Sequence, residues 1–490
     1  MKNHLYYGDN LDILRNHSYF PSEFVDLIYL DPPFKSNVDY NVLFAEQDGS
    51  RSHAQIRAFT DTWKWGIEAA QTCEEVIEGG GEVAKAMASF RTFLGGSDMM
   101  AYLAMMAPRL IELRRVLKKT GSIYLHCDPT ASHYLKMLMD SIFGPQNFVN
   151  EIIWHYRKWP AGKYTFQRNH DVILFYSASG SKDRVFNQLY MERAASTLKR
   201  FGTAKIVSGH DEEGRRVPSE MADEESAGVR QDDVWNIGRV PPIKQLYPTQ
   251  KPDDLLRRIL RASSNKGDVV LDPFCGCGTT IEVAQELKRR WIGIDITHLA
   301  LNLIKWRLSN RFGIEAMTKN YEVTGEPVDL SGAHELAMQD RFEFQNWALG
   351  LLGARRTEVK KGADQGIDGR QYFHESRGGV PEQIIYSVKS GALKATDIRD
   401  LGHVINREKA KMGILIALEK PSKPMLAEAA NAGFYDSLIW GKLPRLQFVT
   451  VKDLLNGHRP KMPLVGAHET LKKREGFHGE DDQAEQLEFG

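Results

Sequence analysis

The chain has 490 residues, 42% of them hydrophobic, with 64 basic and 64 acidic side chains and a formal net charge of zero. A chain of this length holds about two to four domains. It has no apolar run long enough to span a bilayer, and its four cysteines are too few for a disulfide framework, which fits a reducing cytoplasm. Neutral net charge neither requires nor excludes a nucleic-acid partner, because phosphate contacts depend on local basic surface.

The N-terminus, Met1-Lys2-Asn3-His4, lacks a signal-peptide pattern and leads directly into a predicted strand. Val25 to Leu30 is a hydrophobic run that reads as a buried strand. It stops at Asp31-Pro32-Pro33-Phe34. Two prolines end the ladder and keep the backbone extended. The strand end thus presents an acid, a rigid carbonyl and an aromatic ring, a combination suited to gripping a flat base and its amino group. In open α/β sheets such strand ends carry the chemistry.

Residues 45–105 read as a helical insertion, with Trp63 and Trp65 expected in a core and Gly79-Gly80-Gly81 as a linker or hinge. Met99 to Leu113 has helical spacing, and Gly121 to His126 reads as the next core strand. The runs 148–154 and 170–176 follow. Basic and aromatic residues interleave in His155-Tyr156-Arg157-Lys158-Trp159 and Lys163-Tyr164-Thr165-Phe166-Gln167-Arg168. Taken singly these are solvated or packed side chains; as a group they suit a nucleic-acid surface. The acidic stretch from Asp211 to Asp233 reads as a flexible loop.

Val269-Val270-Leu271-Asp272 is a second apolar strand, and it runs into Pro273-Phe274-Cys275-Gly276-Cys277-Gly278-Thr279-Thr280. The glycines allow a sharp turn and close backbone approach to a ligand. No lysine follows them as in a phosphate loop, and the third glycine of a dinucleotide fingerprint is missing. Cys275 and Cys277 lack two further ligands nearby, so they read as small packing residues, not a zinc site. The strand Trp291 to Asp295 ends on an acid placed either to accept ribose hydroxyls or to cap the helix near His298.

Together these segments, with Tyr7-Gly8-Asp9-Asn10 and Tyr247-Pro248-Thr249-Gln250-Lys251-Pro252, resemble the DNA amino-methyltransferases. The order, catalytic motif first and glycine motif last, is that of the family's beta class. Cys277 departs from the usual Ser. The resemblance covers residues 1–325 and implies an S-adenosylmethionine-dependent methyltransferase fold, a Rossmann-like doubly wound sheet of the seven-stranded type. It implies catalytic roles for Asp31, Pro32, Pro33 and Phe34. Asp9, Thr249, Lys251, Asp272, Phe274, Gly276, Gly278 and Asp295 would contact S-adenosylmethionine. It places target recognition in 155–245 and makes double-stranded DNA the partner. The implied product is N6-methyladenine, with N4-methylcytosine as the alternative. Beta-class relatives are often dimers, and the setting would be the cytoplasm of a prokaryote or a phage-infected cell.

Residues 320–335 read as a linker, with the break between domains placed at 326–337, and beyond it the chain changes character. Asp340 to Leu352 is a predicted helix carrying Glu343. Lys361 to Gly369 contains Asp364 and Asp368, and the strand Ile384 to Lys389 follows. Later elements are the strand 413–417, the helix 424–432 and the strand 446–450. An acid and a strand-borne lysine suit Mg²⁺-dependent phosphodiester cleavage. Residues 338–460 resemble the Mrr-like branch of the PD-(D/E)xK nucleases, a smaller restriction-endonuclease-like α/β domain. Glu343, Asp368 and Lys389 match its acids and lysine, and Asp368 would bind the Mg²⁺. Ser387 stands where that family has Glu or Gln, leaving one acidic charge missing unless Glu358 or Asp364 supplies it. A bifunctional restriction–modification enzyme and a domain that binds DNA without cutting both remain open at this point. So does a protein that binds DNA but has lost catalysis altogether, against which the intact Asp31 and glycine motifs argue. Residues 461–490 are charged and read as a disordered tail.

Overall fold

A computed structural model describes residues 2–33, 64–158, 164–180, 183–210, 213, 215–241, 245–246, 250–313, 317, 319–356, 366–375 and 380–463. Phe34, Trp63, Thr249, Glu358 and Asp364 lie outside them, as does the tail from 464 onward. The chain divides into two compact units, with the main change between Gly325 and Glu326.

In chain order the first unit contains β1 (Asn3–Tyr7), β2 (Val25–Leu30), β3 (Leu117–Cys127), β4 (Phe148–His155), β5 (His170–Ser177), β6 (Tyr190–Met191) and β7 (Ala204–His210). It continues with β8 (Arg216–Glu225), β9 (Val229–Arg230), β10 (Val234–Asn236), β11 (Val269–Asp272), β12 (Arg290–Asp295) and β13 (Tyr321–Thr324). Nine of these form one sheet in the order β10-β4-β5-β3-β2-β11-β12-β1-β13. Only β5 runs against its neighbours in that sheet. The sheet exceeds the expected seven strands because the short β10 and β13 extend its two edges.

Central position explains the composition. Leu27 to Leu30 and Val269 to Asp272 are buried without alternation, as parallel strands covered on both faces must be. The helix Asp98–Val116 is buried on almost every side, and its Ser97 cap accepts the N–H of Met100 at 3.3 Å. Leu27↔Ser122 through Leu30↔Leu125, Asp272↔Gly293 and Tyr7↔Asp295 are in register. The carboxyl ends of β1, β2, β3, β11 and β12 therefore share one edge of the sheet, and Cys127↔Val172 brings the start of β5 to the same edge.

Three expectations need correction. Gly79-Gly80-Gly81 is a tight connection between the packed helices Ile67–Glu78 and Gly81–Leu94, not a hinge; positive φ at Gly80 and Gly81 makes the reversal. The acidic stretch after 211 is not one flexible loop, because β8 pairs antiparallel with β7 from Ala204↔Glu225 to His210↔Arg216. A two-strand ladder is held by backbone hydrogen bonds, which composition does not report. The stretch 320–335 is not a linker throughout: β13 joins the sheet edge against β1, and the helix Leu330–Gln339 begins on an Asp329 cap.

The second unit has β14 (Arg355–Arg356), β15 (Gly369–Phe373), β16 (Glu382–Lys389), β17 (Met412–Ala417), β18 (Phe434–Ser437), β19 (Gly441–Pro444) and β20 (Leu446–Thr450). Its main sheet runs β14-β15-β16-β17-β20. Alternation in β16 serves two cores. Ile384, Tyr386 and Val388 pack with Phe344 and Trp347 of the helix Arg341–Gly350, while Ile385 packs with Ile398, Leu401 and Val404 of the helix Ala395–Arg407. No helix among the described residues is long and apolar enough to cross a membrane.

Candidate active site

Asp31 leaves the end of β2 with its side chain mostly buried. Its Oδ2 is ion-paired with Lys251, which precedes the helix Asp253–Ser263. Its Oδ1 is buried and has no hydrogen-bond partner among the described residues. Nδ1 of His126 lies 3.9 Å from Oδ1.

His126, near the end of β3, is fully buried. The Tyr29 hydroxyl lies 2.9 Å from its Nδ1, and Asp171 Oδ2 lies 3.4 Å from its Nε2. Trp154 meets the imidazole edge-on at 5.5 Å between ring centroids. Asp171, at the start of β5, accepts the Tyr156 hydroxyl at 3.0 Å. Burial alone would raise the Asp171 carboxyl; His126, Lys251 and Tyr156 together outweigh it and hold the group down at about 2. Lys158 and Arg239 stand over the Tyr156 ring at 4.8 and 5.5 Å from its centroid.

The glycine turn begins at Asp272, whose carboxylate accepts the Phe274 N–H at 3.1 Å. Burial pushes Asp272 up to about 7, helped by the nearby charges of Asp31 and Asp295 and opposed by Thr280 and the Phe274 N–H. Gly276 and Gly278 both have positive φ, and Gly278 begins the helix Thr279–Glu286. Asp295 ties this turn to the next strand: Oδ2 accepts the Gly276 N–H at 2.9 Å, and Oδ1 accepts the Thr297 N–H and hydroxyl. Asp295 thus braces the glycine turn and holds Thr297, whose hydroxyl in turn accepts the Ala300 N–H in the first turn of the helix His298–Phe312. From behind, the buried Arg307 donates to the Cys277 carbonyl, the Thr279 hydroxyl and Glu282.

Asp9, at the end of β1, accepts a bidentate pair of bonds from the buried Arg109 at 2.8 and 2.9 Å and caps its own helix through the Leu11 N–H. Arg109 also holds the Asn10 carbonyl oxygen, and the Asn10 amide donates to the Pro273 carbonyl at 2.7 Å. Asp9, Asp31, Asp272, Phe274, Gly276 and Asp295 are therefore gathered on one sheet edge. Acids at adjacent strand ends beside a glycine turn fit a ligand carrying hydroxyls and positive charge.

His126, Asp171, Tyr29, Tyr156, Asn10 and Arg109 escaped sequence reasoning as site residues. The available signal was an ionisable residue near the end of an otherwise apolar strand, as His126 and Asp171 are.

In the second unit, Asp368 Oδ2 accepts the Val388 N–H at 2.7 Å and the Ser387 hydroxyl at 3.3 Å. Lys389 lies 3.5 Å from Asp397. Glu343 is buried and accepts the Asn346 amide at 3.0 Å. A cavity of about 400 Å³ is lined by Ser387, Lys389, Asp397, Asp400, His403 and Arg407. Among the described residues no cluster of three His, Cys, Asp or Glu side chains is arranged to hold a metal ion. Among the described residues Asp368 and Ser387 offer one carboxylate and one hydroxyl, a poor Mg²⁺ donor set; Glu358 and Asp364 lie outside them.

Fold and site together define a doubly wound α/β domain with its chemistry at the carboxyl edge. Residues 25–305 match the family described as DNA methylase, N6_N4_Mtase, over more than half of the chain. The chain belongs to this N6_N4 DNA methylase family. It is 28% identical over 267 residues to Type II methyltransferase M.EcaI of Enterobacter cloacae, a match covering 43% of this chain and 58% of that protein. It is 30% identical over 214 residues to Type II methyltransferase M.HpaI of Haemophilus parainfluenzae, covering 43% and 60%. DNA adenine methyltransferase YhdJ of Escherichia coli strain K12 is 29% identical over 216 residues, covering 43% and 68%. The chain spans about three fifths of the length of the first two relatives. Residues 342–456 match a second family, described as NACHT-associated inactive Restriction Endonuclease 1.

Proposed function

We propose that the chain is a site-specific DNA methyltransferase of the beta class that modifies the exocyclic amine of a flipped-out base, with N6 of adenine as its target. The observation that carries this reading is the buried Asp31 Oδ1 at the carboxyl end of β2, an acceptor without a hydrogen-bond partner among the described residues. An amine N–H supplies the missing donor.

Asp31 Oδ1 and the Pro32 carbonyl accept the two amine hydrogens, which turns the nitrogen lone pair out of the ring plane. Phe34 stacks on the base. Phe274, Gly276, Gly278 and Asp295 hold S-adenosylmethionine at the neighbouring strand ends, with Thr249 contributing from the segment before the helix Asp253–Ser263. When bound, S-adenosylmethionine supplies an activated methyl group, so no metal is required. Asp31 receives the proton the nitrogen sheds. Catalysis is then largely orientation of two reactants, which is worth about 7–11 kcal/mol in favourable cases. Extruding the base from a duplex costs a few kcal/mol. The basic and aromatic segment 155–245 is the proposed reader of the DNA site.

Adenine is preferred because the motif is D-P-P-F, and the Escherichia coli relative is named a DNA adenine methyltransferase. The C-terminal unit is proposed to bind DNA without cutting it. This rests on Ser387 in place of an acid, on the Asp368 oxygen already bonded to Val388, and on the likeness to a family described as inactive.

Mass spectrometry of nucleosides from cells expressing the chain tests the main reading. N6-methyladenine above background is expected. N4-methylcytosine would replace adenine as the target, and the absence of both modified bases would overturn the proposal.

A further inference from the structure

The two oxygens of Asp31 stand in different surroundings. Oδ2 is held by Lys251, whose side chain is only 12% exposed against 15% for Asp31. Oδ1 is buried with no hydrogen bond among the described residues, and 3.9 Å away lies Nδ1 of the His126 ring. That ring cannot turn easily. Tyr29 lies against one nitrogen and Asp171 against the other, Trp154 packs on it edge-on, and Tyr156 fixes Asp171 in turn.

A carboxylate on a single χ2 torsion rotates with a broad, roughly two-fold preference when nothing holds it. Pinning one oxygen removes that freedom and aims the other. We propose that Lys251 is a positioning residue for Asp31: it fixes Oδ2 so that Oδ1 alone is offered to the amine, with the His126–Asp171 pair as a rigid wall behind it. The three braces come from separate parts of the chain. Lys251 precedes a helix, His126 is near the end of β3, and Asp171 opens β5.

The inference rests on the amino-methyltransferase reading and adds roles to residues outside the tetrapeptide. It also separates Lys251 from a role confined to the cofactor. A cofactor ligand acts on cofactor affinity; a residue that aims the acceptor acts on the chemical step, where a misplacement near 1 Å costs on the order of 100-fold.

The test uses the full chain, unmethylated plasmid DNA and S-adenosylmethionine, with rates measured at saturating cofactor and cofactor affinity measured by calorimetry. Lys251→Met is expected to lower kcat by roughly 100-fold with cofactor Kd changed by less than about threefold. Lys251→Arg, which keeps the cation, is expected to recover most of the rate. His126→Asn is expected to lower kcat by about tenfold with the same Kd, a partial loss of the same alignment. Melting curves identify any variant that fails to fold, and the Met-versus-Arg contrast is then decisive because both retain a long side chain at the same position. If Lys251→Met instead weakens cofactor binding and regains its rate at saturation, the residue is a cofactor ligand and the proposal falls. Equal losses in the Met and Arg variants would also overturn it. A wild-type chain that binds cofactor but methylates no DNA would remove the underlying reading itself, an outcome visible before any variant is made.

Discussion

The side-chain amide of Asn10 donates to the carbonyl of Pro273 at 2.7 Å, joining the first helix of the chain to the glycine turn. Arg109 holds the other end of the same amide and both oxygens of Asp9. One buried guanidinium therefore ties the start of the chain to the turn between β11 and the helix Thr279–Glu286.

Replacing that guanidinium should be costly. Arg109→Met removes the partner of Asp9 and releases Asn10. Breaking a buried pair costs about 3–5 kcal/mol, and the low end applies because Asp9 keeps 30% of its side-chain exposure. Denaturant unfolding should show the loss, and S-adenosylmethionine should bind more weakly as the turn loosens. An unchanged midpoint would show that the network contributes nothing net.

Asp31→Ala should abolish methyl transfer to DNA while leaving cofactor affinity largely intact. The variant loses the amine's acceptor and keeps the glycine turn. Transfer at a near-normal rate, followed by incorporation of a labelled methyl group into plasmid DNA, would rule out the assignment of Asp31.

Asp272 gives the first unit a pH dependence of known sign. Its carboxyl is raised from the ordinary 3.8 to about 7, so the folded state holds the proton more tightly than the unfolded chain. The stability it contributes is fully present below about pH 4 and is lost as the pH rises through about 7. Asp272→Asn cannot ionise. The difference in melting temperature, variant minus wild type, should grow between those two pH values and then level. A flat difference across the range would show that Asp272 does not titrate there.

The C-terminal unit should not cut DNA. Supercoiled plasmid incubated with the full chain and Mg²⁺ or Mn²⁺ is expected to stay intact. Asp368→Ala is expected to lower stability by about 1–3 kcal/mol, since the buried Val388 N–H loses its acceptor. Metal-dependent cutting that Asp368→Ala abolishes would restore the nuclease reading.

Much of the sheet was legible in the residues because its strands are either wholly apolar or strictly alternating. Val25–Leu30, Val269–Asp272 and Arg290–Asp295 each appear close to where hydrophobic runs predict them. The helix Asp98–Val116 begins one residue before the expected periodic stretch, after a Ser97 cap, and continues beyond it. What escaped were features that do not depend on side-chain burial. The β7–β8 ladder, the edge strands β10 and β13, and the glycine connection at 79–81 are set by backbone pairing and φ, for which composition is a weak guide.

The residues alone determined the local chemistry at each strand end. Proline stops after Asp31, glycines after Asp272 and an acid closing β12 follow from the steric and hydrogen-bonding limits of single residues and near neighbours. Tertiary structure decided which of these ends share an edge and which side chains meet there. The pairing of Asp31 with Lys251, the enclosure of His126 by Tyr29 and Asp171, and the grip of Asp295 on Gly276 arise only when the strands, parallel and antiparallel, fall into register and the segment carrying Lys251 meets their ends. Contacts between residues far apart in the chain depend on sheet order, and periodicity carries no record of that order.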